Sequence, residues 1–343
     1  MHSKHNIFMQ RCLTLAKKGL GYTYPNPMVG AVVVIDGNII GEGWHQKSGT
    51  AHAEVHALAT LQQSHLKKAT LYVNLEPCAH HGKTPPCCDL VIAKGIKKVV
   101  VGAEDPNPKV AGKGIKAMRE AGIEVIVGVL QDTCIELNKR FYCYHIHKRP
   151  YIVLKWAQSQ DGFMAPKNDV KGKVTWISDV HSQQLAHRWR AEEHAILIGR
   201  KTVEADNPEL TTRKWNGTNP IRLVFDPKLK IQENTNVLNS AAQSIIFNEL
   251  LDKKKGNVLW KKIDEENKLM SFLEKAHEHG IQSILVEGGA VTLQHFLGTN
   301  MWDECRVIIS QKTLKEGVKA PEIPKGKKEE KMIVGDCLHL IKR

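Results

Sequence analysis

Asn74–Cys88, NLEPCAHHGKTPPCC, decides how the first half of this chain is read, because it gathers three thiols and two imidazoles into one short segment. A zinc ion that performs hydrolysis wants three protein ligands of nitrogen and sulfur type and an open position for water. Cys78 supplies one thiolate. Upstream, in Gly49–Leu61, GTAHAEVHALATL, His52 supplies an imidazole. The third donor is either His81 or, if the loop is longer, Cys87 or Cys88. The loop AHHGKTPP carries a glycine and two prolines suited to a fixed, wide turn, and Cys88 reads as the start of the next helix, which favours Cys87. A lone His-x-Glu is usually a solvated helix face, but beside this cluster Glu54 acquires a purpose. Zinc lowers the pKa of its water from ~16 toward ~7. A carboxylate two residues beyond the ligand can take that proton and return it to a leaving amine.

Outward from this stretch the pattern is mixed α/β. Apolar residues recur at helical spacing from Asn6 to Leu20, YPNPMVG breaks that helix, and VGAVVVIDGNIIGEGW reads as a hairpin about an Asp-Gly turn. A helix from Ala53, the strand TLYVNLE, the helix CDLVIAKG, the strand KKVVVGA, a helix over Lys113–Ala121 and the strand IEVIVGV follow. One further helix is expected from Asp132 to about His147, and Pro150 then forces an extended run. The boundary falls there, giving domains 1–147 and 148–343. The second half alternates again: PYIVLKW, a helix over Ser178–Ala191, HAILIG, IRLVFD, a lysine-rich stretch, a helix MSFLEKAHEHG, SILVEGG, another helix and ECRVIIS. The charge run KGKKEEK, Lys325–Lys331, is expected to be a solvated loop.

Composition narrows the class. At 343 residues two domains are the default. The N-terminal segment is broken by charges and no run approaches the ~20 apolar residues of a membrane span, so a soluble, cytoplasmic protein without membrane contact is expected. Eight cysteines without a secretory signal suggest metal and buried thiols rather than disulfides. The net charge of +13 invites a nucleic-acid partner, but the lysines are dispersed, aromatics are only 6%, and anionic small molecules would be drawn by the same field. A homo-oligomer is compatible with all of this and fixed by none of it.

The zinc nucleobase deaminases use H-x-E followed by P-C-x-x-C. HAE and EPC match, but His81 stands where the second cysteine belongs. With its longer loop, HAEVHAL plus LEPCAHHGKTPPCCDLVI resembles the deaminase domain of the bifunctional riboflavin-biosynthesis deaminase/reductases. The resemblance implies a cytidine-deaminase-like three-layer α/β/α domain with zinc on His52, Cys78 and Cys87, and Glu54 as proton carrier. NPMVG and GWH then nominate Asn26 and His45 for the pocket. HHGKT and EDPNP nominate His80, Lys83, Asp105 and Asn107 for substrate contact. Asn74 departs from the family's usual threonine and is expected to be a conservative change within a strand.

In the second half, AILIGRKTVEADNPELTTR and SILVEGGAVTLQHFL each place a glycine-containing turn between a strand and a helix, a design that presents backbone N–H groups to a phosphate. Arg200, Lys201 and Thr202 are expected to precede the first of these helices. No G-x-G-x-x-G is present, so this is not an ordinary dinucleotide domain. Instead IGRKT and the late diglycine resemble the dihydrofolate-reductase type of α/β fold that the riboflavin reductase domain shares, from RPYIVLKWAQSQDG to VGDCLHLIKR. The resemblance implies NADPH contacts at Ala157, Trp176, Arg200, Thr202, Asp206, Gly288 and Gly289, with Arg200 or Lys201 on the 2′-phosphate. It implies substrate contacts at Lys155, Arg190, Leu210, Arg213 and Glu287, the two arginines suiting a phosphate. Val174 and Asp226-Pro227 depart from the family pattern.

The implied chemistry is hydrolysis of the C2 amino group of a diaminopyrimidinone ribosylamine phosphate, then NADPH-dependent reduction of the ribosyl group to ribityl. The alternatives are a deaminase acting on RNA with a basic accessory domain, and a deaminase whose second half only binds. The phosphate-type turns oppose the first, and retention of Lys155, Arg190, Asp206, Arg213 and Glu287 opposes the second.

Overall fold

The hairpin forms as its sequence demands. In the computed structural model, described over residues 2–80, 85–167 and 176–343, β1 (Gly30–Ile35) and β2 (Asn38–Trp44) pair antiparallel about Asp36-Gly37. Both turn residues have positive φ, 49° and 81°, the two-residue geometry whose twist matches the flanking strands. Helix α1 (His2–Ala16) precedes it; α2 (Ala53–Leu58), α3 (Gln63–Leu66), β3 (Thr70–Leu75), α4 (Cys87–Ala93), β4 (Lys98–Ala103), α5 (Lys113–Glu120), β5 (Glu124–Val127), α6 (Gln131–Leu137) and α7 (Lys139–His147) follow.

The five strands run in the order β2-β1-β3-β4-β5, with β3, β4 and β5 parallel. Their side chains alternate between two apolar layers. Ala31, Val33, Leu71, Val73, Val99 and Val101 pack with residues of α2, α4 and α5. Val32, Val34, Tyr72 and Val100 pack with residues of α1, α6 and α7. The result is helix, sheet, helix. The single helix expected over Asp132–His147 is two, because Asn138 (φ −98°, ψ 22°) leaves the helical region. Its side-chain oxygen accepts from Met28 N (2.8 Å) and its amide donates to Met28 O (2.9 Å), a long-range pairing that local periodicity does not reveal.

The chain divides into the units Met1–Lys148 and Arg149–Arg343. The second contains β6 (Tyr151–Gln158), β7 (Phe163–Pro166), α8 (Val180–Glu192), β8 (Ala195–Gly199), α9 (Arg200–Asp206), β9 (Ile221–Phe225), β10 (Ser244–Asn248), β11 (Lys253–Lys255), β12 (Val258–Lys262), α10 (Lys268–Glu278), β13 (Ser283–Val286), α11 (Ala290–Gly298), β14 (Glu304–Ser310), β15 (Gly317–Lys319), β16 (Lys327–Ile333) and β17 (Asp336–Lys342). Ten strands form one sheet in the order β11-β12-β10-β9-β8-β13-β6-β14-β17-β16, and β7 pairs with β15 separately. Strands β12 through β14 of that order are parallel neighbours.

Two expectations are corrected here. KGKKEEK is largely strand: Lys327–Ile333 is the sheet's exposed edge, paired antiparallel with β17. Charged side chains on an edge strand leave it solvated and discourage pairing with another chain, so the composition of a loop is equally that of an edge. Helix α9 begins at Arg200, so Arg200–Thr202 form its first turn rather than precede it.

Candidate active sites

His52 sits at the N-cap of α2 in extended conformation (φ −77°, ψ 168°). The helix is held close to β2 by two glycines: a Cβ on Gly43 would lie 2.4 Å from His56 Cβ, and one on Gly41 2.3 Å from Ala57 O. Cys78 follows β3, and Cys87 opens α4. The backbone N–H of Cys87 donates to Cys78 Sγ (3.3 Å) and that of Cys88 to Cys78 O (3.2 Å), so the first turn of α4 faces the Cys78 sulfur.

His52 Nδ1 lies 3.2 Å from Cys87 Sγ and 3.6 Å from Cys78 Sγ. A tetrahedral zinc with bonds of about 2.3 Å to sulfur and 2.0–2.1 Å to nitrogen spaces such donors about 3.6 Å apart. The donor set fits the ion. Cys88 turns away, its thiol 3.4 Å from Asp89 Oδ1 and pushed up to about 12 by burial. His81 and Lys83 lie outside the described residues, as does Val174.

Glu54, 3% exposed, lies beside this cluster, and burial raises its carboxyl above the ordinary range. A hydrogen bond from Cys87 pulls the Cys78 thiol down to about 4 against the opposing effect of burial. His45 Nδ1 is 3.1 Å from Ala51 O, which only an N–H can satisfy, so its Nε2 accepts from Asn26 Nδ2 at 3.1 Å. The His45 and His52 rings meet edge to face at 5.1 Å, placing Asn26 and His45 at the cluster. Burial holds His45 below its ordinary pKa.

Asp105 is buried, accepts from Asn107 N (2.7 Å), and is pushed up to about 7 by that burial. Asn107 in turn accepts from Lys109 N (3.1 Å). His80 is exposed.

Two residues of the site escaped sequence reasoning. Glu76, 3% exposed, accepts four backbone N–H bonds: Asp105 (3.2 Å) and Gly112 (2.9 Å) on Oε2, Gly114 (2.9 Å) and Ile115 (3.2 Å) on Oε1. It thereby ties the Cys78 segment to the Asp105 loop and the N-terminus of α5. Its place in EPC was the only signal. Asn138 is the other. Together with Asn74, whose Oδ1 accepts from Gly30 N (2.7 Å) and whose Nδ2 donates to Met28 O (3.1 Å), it fixes the segment that carries Asn26. Asn74 is therefore more than a conservative filling of a strand, since a threonine would have to serve both groups from one shorter hydroxyl.

In the second unit, β8 and β13 are adjacent and parallel, so their C-terminal turns lie side by side. Gly289 has φ +71°, and a Cβ there would lie 3.1 Å from Thr202 Oγ1. On the same edge, Arg190 forks onto Glu287 at 2.9 and 2.7 Å, with Lys155 Nζ 3.8 Å from that carboxylate. Burial would raise Glu287, but the Arg190 and Lys155 charges outweigh it and hold the carboxyl at about 2. Burial in turn lowers the Lys155 pKa.

The remaining predicted residues divide. Arg190 has spent its fork on Glu287, whereas the half-exposed guanidinium of Arg213 pairs, among the described residues, with surface Glu209 (2.8 Å) and Thr211 Oγ1 (3.1 Å). Leu210, 2% exposed with φ +55°, buries its side chain among Ile198, Val203 and Val224, leaving backbone for contact. Ala157 is half-buried on β6, and Asp206 is half-buried at the end of α9. Trp176 is exposed; Lys214 Nζ lies 5.0 Å over its ring and Lys312 donates to its carbonyl (2.8 Å). Arg200 pairs with Glu204 (2.5 Å) and lies 3.9 Å from Asp226, while Lys201 is exposed. Asp226, ahead of Pro227, accepts from Lys230 N and Ile231 N, both at 2.9 Å.

With this geometry, the family model for the cytidine and deoxycytidylate deaminase zinc-binding region matches residues 2–103, and that for the RibD C-terminal domain matches residues 150–329. Riboflavin biosynthesis protein RibD of Aquifex aeolicus is 44% identical over 91% of this chain and 88% of its own. The chain belongs to the RibD family. The crystal structure of a diaminohydroxyphosphoribosylaminopyrimidine deaminase/5-amino-6-(5-phosphoribosylamino)uracil reductase from Thermotoga maritima superposes with TM-score 0.88 at 38% identity, covering 99% of both chains. RibD of Acinetobacter baumannii gives TM-score 0.88 at 31% identity over all of both chains.

A RibD is bifunctional, so this chain is a riboflavin-biosynthesis enzyme, a deaminase and a reductase, with zinc and NADPH as cofactors. Its two folds are cytidine-deaminase-like and dihydrofolate-reductase-like. The RNA-deaminase reading gains no support. Among the described residues, no helix is long and apolar enough to cross a membrane.

Proposed function

We propose that the first unit hydrolyses the C2 amino group of 2,5-diamino-6-ribosylamino-4(3H)-pyrimidinone 5′-phosphate, and that the second reduces the ribosyl group of that product to ribityl with NADPH. The observation that carries the first step is the His52, Cys78, Cys87 donor set beside the buried carboxyl of Glu54. Zinc, held by those three residues, supplies the Lewis acidity that activates water at neutral pH. Glu54 takes the proton of the attacking water and hands it to the departing amine, so water and the aminopyrimidine become the carbonyl and ammonia. Its raised pKa suits a group that must both accept and release a proton. Asn26 and the neutral His45 orient the base, and the rest of the substrate is assigned to Asp105, Asn107 and His80, with Lys83 assigned on sequence resemblance alone.

For the reduction, Gly288, Gly289 and the first turns of α9 and α11 receive the NADPH phosphates, with Ala157, Trp176, Thr202 and Asp206 along the cofactor. The Lys155–Glu287–Arg190 cluster supplies fixed, buried charge where the ribosyl group reacts. Because Arg190 is committed to Glu287, Arg213 takes the substrate phosphate, exchanging an exposed pair that contributes little. The partners are small phosphorylated molecules in the cytoplasm, with no nucleic acid or membrane.

Product analysis with the diaminopyrimidine substrate tests this. Without NADPH the deaminated ribosyl compound accumulates; with NADPH the ribityl compound forms. Glu54→Gln keeps its zinc, releases no ammonia, and still reduces the deaminated intermediate. Ammonia release by that variant at a rate near wild type overturns the assignment of Glu54.

A further inference from the structure

We propose that Glu330, Cys337 and His339 form a second divalent transition-metal site, of the zinc class, on the β16–β17 hairpin. Strand register brings them together: Glu330 lies opposite His339, and Cys337 is two residues before His339 on the same face. One donor atom from each lies within 4.8 Å of the others, so small side-chain rotations close the set around an ion. His339 is 9% exposed, its Nε2 is 3.5 Å from Glu330 Oε1, and its Nδ1 is buried with no hydrogen-bond partner. It is therefore Nε2, the ring nitrogen beside Glu330, that is placed to ligate an ion shared with that carboxylate.

The surroundings suit an ion. Val307 and Ile309 of β14, opposite His339 and Cys337, belong to or pack on the apolar core, which anchors two ligands rigidly. Glu330 is exposed and leaves an entry path. A thiolate and an imidazole select zinc-like ions over magnesium or calcium, and thiolate plus carboxylate balance a divalent charge. Lys328 now pairs with the same Glu330 oxygen at 2.5 Å, but both groups are exposed, so that pair yields readily. The bound ion would clip the sheet's exposed edge strand to β17.

Zinc content of the full-length protein, loaded with zinc and dialysed, tests the site. Two equivalents per chain are expected. Glu330→Gln and His339→Ala each leave one equivalent, with deamination and reduction near wild type; exposed Glu330 makes the first variant safe for folding. In a Cys78→Ser/Cys87→Ser background, cobalt should still give a thiolate charge-transfer band, which adding Cys337→Ser abolishes. That background removes the deaminase centre, so failure there is separate from failure here. One equivalent in the wild type, equal content in wild type and both hairpin variants, or no cobalt band in the double variant overturns the proposal.

Discussion

Glu287→Gln isolates the buried charge cluster of the reductase unit. The Glu287 side chain is 7% exposed and its carboxyl is held at about 2, against an ordinary value of 4.5. That difference corresponds to roughly 3 kcal/mol of stability. Removing one member of a buried pair costs about 3–5 kcal/mol by a separate route, since Arg190 and Lys155 are left as buried cations without a counter-charge. Because the folded pKa is lowered, this contribution is complete above the unfolded value near 4.5 and is lost as pH falls through about 2. It should drop to roughly half by pH ~3. Six of the seven tryptophans lie in Arg149–Arg343, so fluorescence during urea unfolding reports mainly on this unit. The variant should unfold at a urea concentration roughly 1 M or more lower at neutral pH, and the gap should narrow on acidification. A gap under ~1 kcal/mol at pH ~7, or one that does not change down to pH ~3, refutes the charge argument.

Other outcomes follow from single contacts. Cys87→Ser should lose the deaminase zinc whereas Cys88→Ser, whose thiol faces Asp89, should retain it; equal loss, measured by metal analysis, reopens the ligand set. Arg200→Ala should weaken NADPH binding by about tenfold with little change for NADH, because a charge-assisted contact contributes about 1.5–3 kcal/mol and part of that is spent in releasing Glu204. If titration shows an unchanged preference in both Arg200→Ala and Lys201→Ala, the 2′-phosphate is held elsewhere. Glu76→Gln leaves two backbone donors without an acceptor and should cost about 2–6 kcal/mol. Hydrogen exchange at Asp105–Ile115 reads this, and unchanged protection there would contradict it.

What the sequence disclosed, and what it withheld, divide along one physical line. Local patterns were legible: Asp36-Gly37 specified its turn, apolar β-branched runs marked β1 and β3, and the cluster of thiols and imidazoles around Cys78 narrowed the donor set because a metal constrains ligand type and loop length together. Strand β10, SIIFN, passed unread because it is a five-residue run buried on both faces, with no alternation and no Asp-Gly turn beside it such as the one that marks β1. KGKKEEK passed as loop because an edge strand and a loop face the same solvent. In the site, the residues sequence reasoning named are those whose side-chain type suits a metal or a substrate group. Those it missed, Glu76 and Asn138, work through backbone N–H and C=O groups remote in sequence, which carry no side-chain signature. Arg190 shows the same limit from the opposite side. Its residue type fits a phosphate, and only the fold reveals that Glu287 already fills the fork. A guanidinium so paired is held in place as fixed charge, whereas one left at the surface, as Arg213 is, can exchange its partner for an incoming anion.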